Sequence, residues 1–406
     1  MSGTSASNIA DLLSSAASAT PDAIWLTIPE TNQHYSWQNS FDRASEIACY
    51  LQGAGLSDGA SVAIAAANGA AASFAFLGAV FGGFRATPLN LVAGVKTLGF
   101  VLSHSKTELI LCADDCRKLV EDALAAMPDA PHIKPKIVSM DIDDGPRWIG
   151  SGITPVKVTK LRQPTTETTG LLMYTSGTTG VPKGVLLSHG NLIAAGSNVC
   201  VAHKLESTDT GMCVLPIYHI NGLCVTVMGT LVSKSGLVMP RRFSATHFWA
   251  QMYKFGCSWF SAVPTLFAYL LNDETKPELN RKRLRFSRSA SAPLPPEIHR
   301  QLTSSIINSF ITDGRVKVVK KTQADMVMTG DLFYYELKTV SFNSNNFATG
   351  YIVKLAINVE VIDKANNKPY LKQTLRAEWN YKATSDIVGT ESARLAALEQ
   401  AYRVSG

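Results

Sequence analysis

Residues 170–191 read GLLMYTSGTTGVPKGVLLSHGN, two short apolar runs joined by glycine, serine and threonine. Gly177, Gly180 and Gly184 let the backbone turn sharply and come close to a ligand, because no Cβ stands in the way. Thr175, Ser176, Thr178 and Thr179 supply hydroxyls able to donate to phosphate oxygens, and Lys183 brings a positive charge. Successive backbone N–H groups in such a turn form an anion-binding concavity, so loop, hydroxyls and lysine favour one ligand class, most simply a nucleoside triphosphate. The spacing is not that of a G-x-x-x-x-G-K-[ST] loop, and no helix follows at once. Residues 171–174 and 185–187 predict buried strands that the loop bridges, and with Pro182 they make a poor flexible linker.

Outward from this stretch, 406 residues suffice for two or three domains. A formal net charge of +6 is mild at that size and argues against a nucleic-acid partner. The tightest basic group, Arg281, Lys282 and Arg283 with Arg285 and Arg288, reads as a solvated surface. Seven cysteines at irregular spacing argue against a disulfide framework and for a reducing, cytoplasmic compartment. Cys112 and Cys116 have no second ligand pair and read as ordinary thiols, so no metal site is expected. The first basic residue is Arg43, which leaves no positive region for a signal peptide. Residues 63–84 are long and apolar enough to raise a membrane span, but Asn68, Gly69, Ser73, Gly78, Gly82 and Gly83 point to a buried strand, a loop and a tightly packed helix.

In chain order the periodicities predict a helix over 8–17, an apolar run over 23–28 and an amphipathic helix over 41–52. They continue with strand 62–66, helix 70–81, helix 98–103, strand 108–112, helix 116–126 and strand 137–140. This alternation predicts an α/β fold for residues 1–302, with parallel sheets covered by helices.

YTSGTTGVPKG, residues 174–184, resembles the signature of adenylate-forming (AMP-binding) enzymes, which include acyl-CoA synthetases, luciferases and peptide-synthetase adenylation domains. The resemblance implies nucleotide phosphate binding by Thr175, Ser176, Gly177, Thr178, Thr179, Gly180 and Lys183. Pro216 to Gly222, PIYHING, resembles the family's Pro-x-x-His-x-x-Gly motif, implying that His219 and Gly222 lie beside the acyl substrate and the entrance for the thiol. Residues 243–249 and 259–265 look like the substrate domain of acid–CoA ligases of the oxalate and coumarate type. Ser289, Ala290, Ser291, Ala292 and Pro293 resemble the loop against adenine and acyl group. The family's chemistry implies a small carboxylic acid, ATP, Mg²⁺ and coenzyme A: an acyl-adenylate forms first, and a thiol then displaces AMP.

The resemblance stops near residue 302. No aromatic-Gly-x-Thr-Glu motif follows Glu297, so the Mg²⁺ site is incomplete, and neither the hinge nor the adenylation lysine of the small domain is found. Thr329-Gly330-Asp331 imitates the family's ribose-binding tripeptide but falls within a predicted strand of a different unit. Residues 303–406 predict an α+β fold with an antiparallel sheet: helix 303–310, strands 315–319, 324–340, 350–362 and 370–381, a turn over 364–367 and helix 390–402. Apolar residues at 351, 353, 355, 357, 359 and 361 repeat with the period of a half-buried strand. Phe310 to Arg315, Ala324-Asp325 and Gly330-Asp331 resemble the lipopolysaccharide-assembly lipoproteins, although no lipidated N-terminal cysteine is present and the last helix reads as cut short.

Three expectations follow: an acid–CoA ligase by descent with impaired turnover, a non-enzymatic assembly module in 303–406 with an outer-membrane partner, or a non-functional fusion near 300–304 that exposes apolar surface.

Overall fold

The computed structural model describes residues 6–127, 135–143, 145–147, 153–175, 182–272 and 283–290, and the backbone of three strands within 326–382. Contacts gather into two compact units, Met1–Ser261 with Thr275–Arg288, and Ala262–Glu274 with Ser289–Gly406.

The alternating strand and helix signals resolve into two mixed sheets. The seven-stranded sheet runs Gly145–Pro146, Lys136–Asp141, Thr107–Ala113, Ser61–Ala65, Arg85–Pro88, Thr169–Thr175 and Lys183–Ser188 in spatial order. Its five interior strands pair in parallel. Ser61–Ala65 is buried along its whole length, as a central parallel strand covered on both faces must be. The six-stranded sheet runs Phe286–Ser289, Trp259–Ala262, Thr210–Met212, Gly236–Val238, Ile24–Ile28 and Gln33–Ser36. Parallel pairing again dominates inside it.

The expectation of parallel sheets holds for these interiors and needs correcting at the edges. Gly145–Pro146, Lys183–Ser188 and Gln33–Ser36 each pair antiparallel with the strand just before them. A connection of a few residues can only turn the chain back, whereas a parallel return needs a crossover of a dozen or more.

Helix boundaries follow local chemistry. The second helix, Trp37–Gly53, begins four residues ahead of the predicted 41, because Ser36 caps it and exchanges hydrogen bonds with Asn39 in a capping box. Ala70–Phe81 coincides with the predicted span, and all twelve residues are buried. That burial explains its lack of a polar stripe. The apolar run 63–84 is therefore a strand and a core helix, and among the described residues no helix is long and apolar enough to cross a membrane. All seven cysteines are free, and Cys112 and Cys116 are buried, where desolvation pushes each thiol up to about 12.

The three strands Met326–Phe342, Ala348–Asp363 and Lys368–Lys382 form an antiparallel sheet in that order. Register pairs Tyr351 with Tyr381, Val353 with Trp379, Leu355 with Ala377 and Ile357 with Leu375, so the two alternating apolar sets share rungs. Asp331 pairs with Asn358 inside this sheet, as its strand assignment predicts. The predicted helices 303–310 and 390–402, strand 315–319 and turn 364–367 lie outside the described residues.

Gly78 sets how closely two core helices approach. A Cβ there would lie 2.4 Å from the Cβ of Ile47 on Trp37–Gly53. Gly78→Val should overpack this contact and cost about 1–3 kcal/mol. Urea denaturation of the purified variant checks it, and an unchanged midpoint would show that the helices separate at no cost.

Candidate functional site

The Gly170 to Asn191 stretch forms an antiparallel hairpin at the edge of the seven-stranded sheet. Thr169–Thr175 and Lys183–Ser188 pair rung by rung, and Thr175 opposite Lys183 is the last pair before the loop. The Thr175 hydroxyl lies 3.5 Å from the Lys183 carbonyl oxygen across that rung. Ser176, Gly177, Thr178, Thr179 and Gly180 lie outside the described residues. Lys183 is exposed and makes no ion pair among the described residues. Gly184 does not serve the turn as its composition suggests. It sits within the strand without a positive φ, and a Cβ there would meet Leu172 Cδ1 at 2.9 Å.

Two side chains anchor the hairpin. Tyr174 hydrogen-bonds His104 Nδ1 at 2.8 Å, next to the last rung, and burial pushes its phenol up to about 12. His189, which opens the helix His189–His203, is fully buried against Gly170. Its Nδ1 accepts the Ile9 N–H at 3.1 Å, so the ring proton is on Nε2, which has no partner among the described residues. Desolvation lowers its pKa from 6.5 to about 4.

The second motif is pinned by a residue far away in sequence. Asn68, just beyond the buried Ser61–Ala65 strand, accepts the Ile217 N–H at 3.0 Å and donates to the Leu215 carbonyl at 3.0 Å. His219 follows in a solvent-facing turn, its ring 4.6 Å from that of Tyr218, and protein packed around it lowers its pKa below the ordinary histidine value. Gly222 is buried within a π-helical turn, Asn221–Val227, where a Cβ would lie 2.4 Å from the Pro216 carbonyl oxygen. Only glycine lets the two ends of this motif close on one another. π-helical turns are rare and concentrate at functional sites.

Ser289 ends the Phe286–Ser289 strand with its hydroxyl buried and unpartnered among the described residues. Ala290 donates its N–H to the Ala262 carbonyl at 3.0 Å. Ser291, Ala292 and Pro293 lie outside the described residues.

Sequence reasoning missed the partners of this strand. The basic group read as a solvated surface is not uniformly one. Arg285 pairs with the buried carboxylate of Asp209, which also accepts from Ser258 Oγ at 2.7 Å and the Glu206 N–H at 2.9 Å. Burial would raise the Asp209 pKa, but these donors outweigh it and hold it below the usual carboxylate range. Arg288 is half-buried, and its Nη1 lies 3.2 Å from both Asn221 Oδ1 and Ser261 Oγ. Asn221 is inside the quoted motif, but its neighbours come from 40 and 67 residues away, and no local pattern signals them.

Among the described residues no three His, Cys, Asp or Glu side chains gather as a metal centre would. The described part of the site holds two cations, Lys183 and Arg288, side chains suited to anions.

Residues 13–314 match the AMP-binding enzyme family. Residues 282–404 match the family described as lipopolysaccharide-assembly, so the two matches overlap over 282–314. A sulfoacetate–CoA ligase of Cupriavidus necator is 37% identical over 293 residues, covering 72% of this chain and 56% of that protein. An oxalate–CoA ligase of Arabidopsis thaliana is 31% identical over 249 residues, covering 60% of this chain and 48% of that protein. The chain thus spans about half the length of these curated relatives. Among solved structures, the N-terminal domain of FACL13 from Mycobacterium tuberculosis superposes with a TM-score of 0.64 at 18% identity, over 90% of this chain and 91% of that one. A fatty acyl-adenylate ligase from L. pneumophila gives 0.61 at 18% identity, over 75% and 53%. At these identities the likeness is one of fold.

The His189 environment makes a pH dependence. Folding lowers the pKa of this group, so the unfolded chain binds the extra proton between pH 6.5 and about 4. Stability should be fully present above 6.5, fall as pH drops toward about 4, and level off below. The loss is on the order of 3 kcal/mol. His189→Asn, which keeps an acceptor for Ile9, should flatten that slope in urea denaturations across the range. Equal slopes in the two proteins would assign the dependence to other groups.

Proposed function

The chain belongs to the AMP-binding enzyme family, and we propose that residues 1–302 are a partial adenylation domain that binds ATP and activates a small carboxylic acid. The observation that carries this reading is the hairpin, whose last rung holds Thr175 and Lys183 at the two ends of the glycine- and threonine-rich loop. Thr175, Ser176, Gly177, Thr178, Thr179, Gly180 and Lys183 bind the phosphates. His219, Gly222, Ser289, Ala290, Ser291, Ala292 and Pro293 line the acyl and adenine side. A carboxylate oxygen attacks the α-phosphorus, a P–O bond forms, and the bond to the β-phosphate breaks to release pyrophosphate. Charge grows on the phosphoryl oxygens in that step, and fixed N–H and O–H donors with Lys183 stabilise it without having to reorganise. Mg²⁺, when bound with the nucleotide, adds further charge neutralisation. In the second step the thiol of coenzyme A attacks the acyl carbon, and AMP leaves.

The relatives named for sulfoacetate and oxalate support a short acid. Thioester formation is expected to be weak, because 282–404 match a different family and 326–382 carry an antiparallel sheet of another kind. In this reading residues 303–406 are a separate module fused near 302, a position that the overlap of the two matches over 282–314 supports. A second reading rests on that module: the lipopolysaccharide-assembly match and the three-stranded sheet favour a binding role with an outer-membrane partner.

Three experiments test these readings. Carboxylate-dependent exchange of labelled pyrophosphate into ATP should be detectable but slow, since no adenylation lysine is found, while acyl-CoA stays near background. Lys183→Ala should weaken ATP binding in calorimetry by about 1–3 kcal/mol through loss of a charge-assisted contact. Asp331→Ala should leave ATP binding unchanged, and the reverse pattern would make one site of the whole chain. Limited proteolysis should cut first near 300–314. First cuts inside Met326–Phe342 would place the junction elsewhere.

A further inference from the structure

Among the described residues Arg288 hydrogen-bonds two side chains, faces the imidazole of His203, and pairs with no carboxylate. Its guanidinium is a donor with five N–H groups and no acceptor. Around it the described residues offer the Asn221 amide oxygen and the Ser261 hydroxyl, each 3.2 Å from Nη1, and no carboxylate. The nearby Arg285 already has Asp209, so an acid is present in this region but committed elsewhere. Taking a cation partly out of water without an opposite charge is costly, and desolvation lowers the Arg288 pKa accordingly.

Asn221 carries a second deficit of the same sign. Its Oδ1 accepts from Ser261 Oγ at 2.8 Å and from Arg288, which can only donate, so the amide orientation is set. Nδ2 must then face away, and it is buried without an acceptor among the described residues, on a side chain only 3% exposed. Buried donors are ordinarily satisfied, and an orphan of this kind calls for a partner. Here an unpaired cation and an orphaned amide donor are joined through one oxygen. Both lie beside the π-helical turn that closes the His219 motif.

We propose that Arg288, positioned by Asn221 and Ser261, is a specificity-determining residue that binds a second anionic group, carboxylate or sulfonate, on the acid whose other carboxylate is activated. The inference rests on the adenylation reading for the identity of the acid, and on the Asn221–Ser261–Arg288 cluster alone for the anion. A carboxylate or sulfonate supplies charge and several acceptor oxygens, and a guanidinium binds such groups through paired N–H donors. Nucleotide phosphate is assigned to the hairpin, which brings its own lysine.

Calorimetric titration of the full chain, in the presence of AMP, with malonate and sulfoacetate against acetate and propionate tests this. The wild type should bind the two dianions roughly tenfold or more tightly than the monoanions. Arg288→Met should erase that preference, Arg288→Lys should keep part of it, and ATP affinity should not change in either. Equal binding of both acid classes by the wild type, or no binding of either, would overturn the proposal without recourse to any variant. A loss of ATP affinity in Arg288→Met would also overturn it, by assigning the guanidinium to the nucleotide. The adenylation reading is judged separately by pyrophosphate exchange. Dianion preference without exchange would sink that reading and leave Arg288 as an anion site, and exchange driven equally by monoanions would do the opposite.

Discussion

The parallel pairing of Ser61–Ala65 with a strand on either side is the constraint on which the AMP-binding part depends. A strand buried on both faces has every backbone group committed to its neighbours and every side chain committed to the layers above and below. Ala70–Phe81, buried along its whole length, packs against it, and Gly78 lets Trp37–Gly53 pack down onto that helix. Arg85–Pro88 pairs beside the strand and hands the sheet on to Thr169–Thr175, from which the glycine- and threonine-rich hairpin hangs. Asn68, at the strand's outgoing end, reaches the 213–217 segment with both its donor and its acceptor. One rigid element therefore positions both motifs, which suits sites that tolerate little misplacement.

Polar groups in this part divide by whether their needs are met internally. Asp209, Arg285 and Ser258 satisfy each other and hold two strands in register. Asn68 is also fully used, spanning the gap between one sheet and the motif it supports. Asn221 Nδ2 and Ser289 Oγ have no partner among the described residues, and Arg288 has hydrogen bonds there but no carboxylate. A folded protein leaves few such groups, because each costs the desolvation of a donor with nothing in return. Asn221 Nδ2 adjoins Arg288 through the shared Oδ1, while other buried orphans, such as His189 Nε2 and Arg85 Nε, lie elsewhere in the fold.

Much of the fold is legible in local sequence. The 70–81 helix, the 171–174 strand and the alternating apolar face of 351–361 are read directly, because helix and strand periods are properties of neighbouring residues; 185–187 forms the expected second strand, but as an edge strand with Val185 and Leu186 exposed rather than buried. Ser36 and Asn39 could have placed the start of Trp37–Gly53, since a capping box is a signal within four residues. The antiparallel edges were also within reach, from the shortness of their connections.

By itself, the sequence determined the alternation of strands and helices, the glycine- and threonine-rich hairpin with its lysine, and the change of character after residue 302. Each of these is written in residues a few places apart. Only the tertiary structure decided that Arg285 is paired with Asp209 while Arg288 meets no carboxylate among the described residues, that Asn68 holds Ile217 across 149 residues, and that Gly222 must be glycine because the Leu215 and Pro216 carbonyls close on it. It also decided that His189 is a buried clamp on the N-terminal helix. The physical reason is the same in each case. Burial and pairing are set by which distant segments share a layer, and a charge or amide has no fixed role until the neighbours that solvate it are in place.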